Sequence, residues 1–228
     1  MPWGTFCGKI QPVKILAVSD EVVERLYNLC NSGHFRDVKV ILGCGDLPYT
    51  YLENLLTLLN VPLFYVPGNH DPDYHPNNLN TLAEGGSNLD LKLIHHKDQL
   101  IAGFGGSHFY RSDGVNQYSQ SQAMRRAMQI LPALAWNRIR HGRALDILIT
   151  HSPPFGIHDE PTQAHQGLKA INWLIRTAKP RYHFHGHVHF QRGNLAPSRT
   201  VLGPTMVINV YPYKVLEITD RNDLSERM

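Results

Sequence analysis

Apolar and polar positions along the chain fall into short, almost unbroken apolar runs separated by stripes at helical spacing. Val13-Lys14-Ile15-Leu16-Ala17-Val18, Val38-Lys39-Val40-Ile41-Leu42 and Leu63-Phe64-Tyr65-Val66 are runs of this kind, which read as strands buried on both faces. After the first run, Val22, Val23, Leu26, Leu29 and Cys30 recur at helical spacing, and Asn31-Ser32-Gly33 closes that helix. A second helix has Pro48 in its first turn, the stripe Tyr51, Leu52, Leu55, Leu56 and Leu59, and Asn60 as its stop before Pro62. Strands alternating with helices of about ten residues predict right-handed crossovers and parallel pairing.

Further along, the stretch from Pro72 to Asn88 is rich in Pro, Asn and Gly and predicts a long loop. Leu91-Lys92-Leu93-Ile94-His95 and Gln99-Leu100-Ile101-Ala102-Gly103 flank His96-Lys97-Asp98 as a hairpin that starts a second sheet. Ser119 through Ile139 reads as helical, capped by Ser119 and broken or kinked at Pro132, with Met124, Ala127, Met128 and Leu131 on one face. A strand over Leu145–Ile149 follows, then a helix carrying Leu168, Ile171, Leu174 and Ile175 and ended by Pro180, then a strand at Tyr182–His185. Thr205–Val210 and Lys214–Ile218 read as a closing antiparallel pair, with a frayed tail over 220–228. No linker, repeat or low-complexity segment divides the chain, so residues 1–228 are expected to form one domain of the α/β class, two sheets sharing one core.

Polar groups change this picture from fold to chemistry. The first strand runs into Ser19-Asp20, the second into Gly43-Cys44-Gly45-Asp46, the third into Gly68-Asn69-His70-Asp71. Leu145–Ile149 ends in Thr150-His151, and Tyr182–His185 in Gly186-His187-Val188-His189. A single such ending is as readily a turn, because Gly and Asn supply positive φ and Asp bonds its own backbone. Five strands that each deliver oxygen or nitrogen ligands to one edge point to a metal centre, with carboxylate and imidazole suiting Mn, Fe, Zn or similar ions.

Asp20, Gly45-Asp46, Gly68-Asn69-His70-Asp71, His151 and Gly186-His187-Val188-His189 resemble, in order and over residues 13–189, the motif series of the calcineurin-like metallophosphoesterases. The resemblance implies a four-layer α/β/β/α sandwich of two mixed sheets flanked by helices, with metals at the C-terminal strand edge. It implies two divalent ions: Asp46 bridging, Asn69, His151 and His187 completing one site, Asp20 and His189 holding the other. It also implies a metal-bridging hydroxide as nucleophile, with His70 as a non-ligand histidine that serves the leaving oxygen and Asp71 either orienting it or holding the turn. One position departs: the family's first motif is Asp-x-His, and Asp20-Glu21-Val22 puts Val where the His would be, so that site is expected to be the weaker.

Within that frame, Phe104-Gly105-Gly106-Ser107-His108-Phe109-Tyr110-Arg111 is the substrate-facing candidate, with His108 and Arg111, and Arg192 behind them, as phosphate contacts. Of fourteen histidines, His34, His75, His95, His96, His141, His158, His165 and His183 read as surface or structural residues. A net charge of +3, with Arg125-Arg126 its densest pair, gives no nucleic-acid track, and no stretch approaches the roughly 20 apolar residues that span a bilayer. The first twelve residues lack the blocks of a signal peptide, and Cys7, Cys30 and Cys44, odd in number and without Cys-x-x-Cys spacing, suit free thiols, so a soluble cytoplasmic protein without a membrane partner is expected. The function expected is a phosphodiesterase acting on a small phosphorylated substrate. The alternatives are a phosphomonoesterase and a family member kept as a protein-binding scaffold, and a homo-oligomer is compatible with any of these.

Overall fold

The computed structural model describes residues 12–73, 75, 78–189 and 197–218. In chain order the strands and α-helices are β1 (Val13–Val18), α1 (Arg25–Asn31), β2 (Val38–Gly43), α2 (Tyr49–Leu59), β3 (Leu63–Tyr65), β4 (Ser87–Asn88), β5 (Leu93–His96), β6 (Gln99–Phe104), β7 (Ser107–His108), β8 (Gln117–Tyr118), α3 (Gln120–Met128), α4 (Leu131–His141), β9 (Ile147–Thr150), α5 (Lys169–Ala178), β10 (Tyr182–His185), β11 (Arg199–Leu202), β12 (Thr205–Asn209) and β13 (Tyr213–Ile218). One sheet has the order β13-β1-β2-β3-β4 and the other β11-β12-β10-β9-β6-β5, with β7 and β8 pairing separately.

Alternation along the central strands generates the layers. In β1, Ile15 and Ala17 face the space between the sheets while Leu16 and Val18 face α1 and α2. In β9, Ile147 and Ile149 face the first sheet while Leu148 packs towards α3, α4 and α5. Because each strand buries both faces, its sequence is an apolar run and not an alternation. The result is the α/β/β/α sandwich of two mixed sheets. The parallel pairs β1–β2, β2–β3, β6–β9 and β9–β10 carry the ligand-bearing strand ends to one rim.

Local signals explain the element boundaries. Asn60, at φ 50°, closes α2 in the left-handed conformation that Asn tolerates. Ser119 and Gln122 form a reciprocal capping box on α3. The long helix breaks ahead of Pro132, which sits in the first turn of α4. The hairpin β5–β6 is antiparallel, turning through Lys97 at φ 52°. Helix α1 starts at Arg25, later than its apolar stripe implies, and leaves Val22 exposed. Among its described residues the 72–88 stretch carries one 3-10 turn at Leu79–Thr81 and, where a loop is expected throughout, ends in β4, which pairs parallel to β3.

The expected closing pair is not a pair. Strand β12 lies inside the second sheet, parallel to β10 and antiparallel to β11, while β13 crosses to the first sheet and runs antiparallel to β1. The physical reason is burial: Val207 and Ile208 of β12 face opposite apolar layers, which a two-stranded hairpin cannot cover on both sides. The tail 220–228 and Cys7 lie outside the described residues, whereas Cys30 and Cys44 are free and buried. Among the described residues no helix is long and apolar enough to cross a membrane.

Candidate metal centre

Three of the five strand ends leave the sheet through strained backbone. Asp20, Asp46 and His187 adopt φ of 66°, 56° and 69°, a region that side-chain-bearing residues enter at a cost, and all three sit at the same rim. Glycine is required where these loops touch: a Cβ on Gly68 would lie 2.0 Å from Asp46 Oδ1, and one on Gly186 would lie 2.3 Å from Asp20 Oδ2. The glycines of the two most specific motifs therefore bring the carboxylates against neighbouring backbone.

At the centre, Asp46, His151 and His187 present ligand atoms that all lie within 4.8 Å of one another. His151 Nε2 is 3.0 Å from His187 Nδ1, 3.0 Å from Asn69 Oδ1 and 3.4 Å from Asp46 Oδ2. The remaining ring nitrogens fix the tautomers. His151 Nδ1 donates to the Cys44 carbonyl at 2.9 Å and His187 Nε2 to the Ala164 carbonyl at 2.7 Å, so each imidazole turns its lone pair inward. Two imidazole lone pairs, an amide oxygen and a carboxylate converging on one point repel one another unless a proton or a cation lies between them. This donor set fits a borderline divalent ion.

The protonation pattern reports the same convergence. Burial opposes charge on His151, but the carboxylates of Asp46 and Asp20 outweigh it and push the imidazole up to about 10. Burial together with the neighbouring His151 pushes His187 down to about 3. Burial likewise opposes charge on Asp46, yet His151 and His70 hold it below the usual carboxylate range. Positive charge is thus favoured at the point where these donors meet, the place that suits a cation.

Beside this cluster, His189 Nε2 lies 3.4 Å from Asp20 Oδ1, and the Asp20 carboxylate accepts the His187 backbone N–H at 3.0 Å. The Asp20 hydrogen bond raises His189. His189 also stacks on Tyr211 with ring centroids 4.4 Å apart. His70 donates its backbone N–H to Asp46 Oδ1 at 2.8 Å and leaves its ring exposed, with Nε2 4.0 Å from Asp46 Oδ2. Among the sequence-predicted residues, Asp20, Asp46, Asn69, His70, His187 and His189 line one cavity of about 220 Å³, and His151 lies buried beneath it. A groove of about 590 Å³ adjoins it, sharing Asp46 and His70.

The other candidates lie elsewhere. Asp71 Oδ2 accepts the backbone N–H of Asp46 at 2.9 Å and of Gly68 at 2.7 Å, and among the described residues no bond joins this carboxylate to the His70 ring. Its geometry is that of a tie between two loops. Burial and the nearby Asp46 carboxylate raise Asp71 to about 6. Arg111 is exposed and forked onto Asp113 at 3.1 and 3.3 Å, and His108 Nδ1 is 3.2 Å from the Gln163 carbonyl oxygen. Neither lines the cavity, because both side chains already have partners in the surrounding loops. Arg192 lies outside the described residues. Conversely, Tyr110, Ala164 and His165 wall the cavity although no motif marks them, and the His165 ring lies 5.5 Å from that of His187.

A family profile described as "Calcineurin-like phosphoesterase" matches residues 14–191. The chain is 26% identical over 209 residues to the UPF0046 protein K07C11.7 of Caenorhabditis elegans, covering 82% of this chain and 67% of the worm protein. It is 38% identical over 68 residues to Metallophosphoesterase domain-containing protein 1 of Homo sapiens, covering 28% of this chain and 20% of that protein. One crystal structure superimposes with a TM-score of 0.63 at 18% identity, covering 90% of this chain and 95% of the other, a likeness that bears on the fold.

Proposed function

Because the chain belongs to the calcineurin-like phosphoesterase family, we propose that it is a metal-dependent phosphohydrolase, acting as a phosphodiesterase on a small phosphate ester. The observation that carries this reading is the convergence of His151 Nε2, His187 Nδ1, Asn69 Oδ1 and Asp46 Oδ2 with tautomers already turned inward. In this reading those four residues hold one divalent ion, and Asp46, Asp20 and His189 hold a second, of the Mn, Fe or Zn kind. Bound ions of this type polarise phosphoryl oxygens and lower the pKa of water to near neutrality.

The protein's own groups supply the rest. His70, exposed beside Asp46 and free of the ligand cluster, donates a proton or hydrogen bond to the departing oxygen. Asp71 keeps the Asp46 and Gly68 loops together beneath it. The adjoining groove offers room for the alcohol portion of the ester next to His70, and the mild net charge argues for a small substrate over a polyanion. The four layers act as one catalytic domain.

One observation favours a weaker or scaffold role: Val22, exposed at 40% beside Asp20, offers no ligand to the second ion. Metal analysis combined with turnover of p-nitrophenyl phosphate and of bis-p-nitrophenyl phosphate in added manganese separates the readings. The hydrolase reading expects bound metal, turnover with preference for the diester, and loss of both metal and turnover in Asp46→Asn. Full turnover by metal-repleted Asp46→Asn protein refutes the assigned centre, and bound metal without turnover of either ester favours the scaffold.

A further inference from the structure

Tyr110 belongs to none of the ligand motifs, yet it walls the same cavity as Asp20, Asp46, Asn69 and His70. Its hydroxyl oxygen accepts a hydrogen bond from Asn69 Nδ2 at 3.2 Å, while Asn69 Oδ1 points the opposite way, 3.0 Å from His151 Nε2. An amide that gives its N–H₂ to Tyr110 must turn its carbonyl to the imidazoles, so the phenol determines which end of Asn69 faces the ligand cluster.

The same bond leaves the tyrosine with a proton to give. A phenol carries one O–H donor, and here the oxygen is the acceptor towards Asn69. Among the described residues no acceptor takes the hydroxyl proton. Accepting a hydrogen bond also polarises an O–H group into a better donor. A phosphoryl oxygen is the natural acceptor in a cavity walled by cation ligands, because charge-assisted O–H···O⁻ bonds are about twice as strong as neutral ones.

The position is built and not incidental. Tyr110 N donates to Gln117 Oε1 at 3.1 Å, and the preceding carbonyl, that of Phe109, accepts from Gln163 Nε2 at 3.3 Å. His108 Nδ1 meets the Gln163 carbonyl at 3.2 Å, and the next carbonyl, that of Ala164, receives His187 Nε2. The loops at 108–110 and 163–165 are thus clasped to each other, and each holds one residue of the ligand cluster in its orientation.

We propose that Tyr110 is a substrate-contact residue: its hydroxyl orients the Asn69 amide and donates a hydrogen bond to a phosphoryl oxygen of the bound ester. This rests on the phosphohydrolase reading above and adds to it a residue that no motif contains. The test is Tyr110→Phe, which removes one oxygen and keeps the ring. Three quantities are measured on both proteins: manganese affinity, affinity for inorganic phosphate with manganese saturating, and kcat and KM for the two p-nitrophenyl esters. The expected result is a fall in kcat/KM of about 10²-fold, the loss associated with one transition-state donor. Phosphate affinity should weaken about tenfold and manganese affinity by a smaller factor, as the Asn69 amide loses its partner. The proposal is overturned if phosphate affinity and kcat/KM at saturating manganese match wild type, or if only thermal stability or manganese affinity changes. If the wild type binds manganese and phosphate but cleaves neither ester, the hydrolase reading fails, and the comparison of phosphate affinities still decides the contact.

Discussion

Asp71 offers a sharp test of how the centre is built, because two roles for it make opposite predictions. The residue is 6% exposed, and one carboxylate oxygen receives two backbone N–H groups, from Asp46 and Gly68, at 2.9 and 2.7 Å. In Asp71→Ala both N–H groups lose their acceptor. At about 1–3 kcal/mol for each unsatisfied buried donor, the variant should lose about 2–6 kcal/mol of stability. The Asp46 loop, held at a left-handed φ of 56°, then loses a restraint, and manganese affinity should fall at least about tenfold. In Asp71→Asn the amide oxygen can still accept both bonds, so the loss should stay within about 2 kcal/mol and metal binding should survive. Urea denaturation of the metal-free proteins and calorimetric manganese titration read the two quantities. If Asp71→Ala keeps wild-type stability and metal affinity but loses turnover with a steeper dependence on the leaving group, Asp71 serves the His70 ring and the loop-tie assignment is wrong.

Replacing His70 with Ala should leave metal content nearly unchanged and lower turnover about 10²–10⁴-fold; metal loss on analysis would make His70 a ligand instead. Gly68→Ala should cut metal affinity more than a surface substitution does, because the new Cβ would lie 2.0 Å from Asp46 Oδ1, and wild-type affinity in a manganese titration would disprove that close approach. Val22→His should raise affinity at the site of Asp20, Asp46 and His189 by about tenfold, near 1.4 kcal/mol. Identical two-site titrations of mutant and wild type would show that position 22 does not point at that site.

The strands that carry the ligands were legible because a strand buried on both faces is an apolar run, and four such runs, with the aromatic and histidine strand Tyr182–His185 as a fifth, end in polar groups. Helix ends were legible where capping chemistry is local, as at Asn60, Ser119 and Pro132. The partners of β12 and β13 were not, since strand pairing is decided by which sheet edge and which apolar layer are free, and sequence adjacency favours a hairpin that the fold does not form. Tyr110, inside the expected substrate-facing stretch but not singled out within it, and His165, read as a surface or structural residue, were not legible as cavity walls for a related reason: loops at 108–110 and 163–165 meet through backbone carbonyls and Gln163, contacts with no sequence period. Arg111 was misleading because Asp113, two residues on, is its partner.

Fourteen histidines make this chain a test of what distinguishes a ligand from a structural imidazole, and ring-nitrogen bookkeeping supplies the criterion. His158, half-buried, and His185, buried, lie beside the ligand strands and pass for ligands by position. His185 Nδ1 donates to the Gly186 carbonyl, so its Nε2 must accept, and it does so from His158 Nδ1 at 2.9 Å. His158 Nε2 then accepts from Thr200 Oγ1 at 2.8 Å, which completes a neutral chain with no lone pair left for a cation. Burial keeps both rings below the ordinary histidine range, in agreement with that neutrality. His151 and His187 differ in one respect: each spends a single nitrogen on a backbone carbonyl and turns the other towards Asp46 and Asn69. In the alternation His183, His185, His187, His189, the middle pair therefore divides by the partner that tertiary structure gives each second nitrogen. Within Gly186-His187-Val188-His189, the carbonyl of Ala164, more than twenty residues upstream, is what leaves His187 Nδ1 available to a metal.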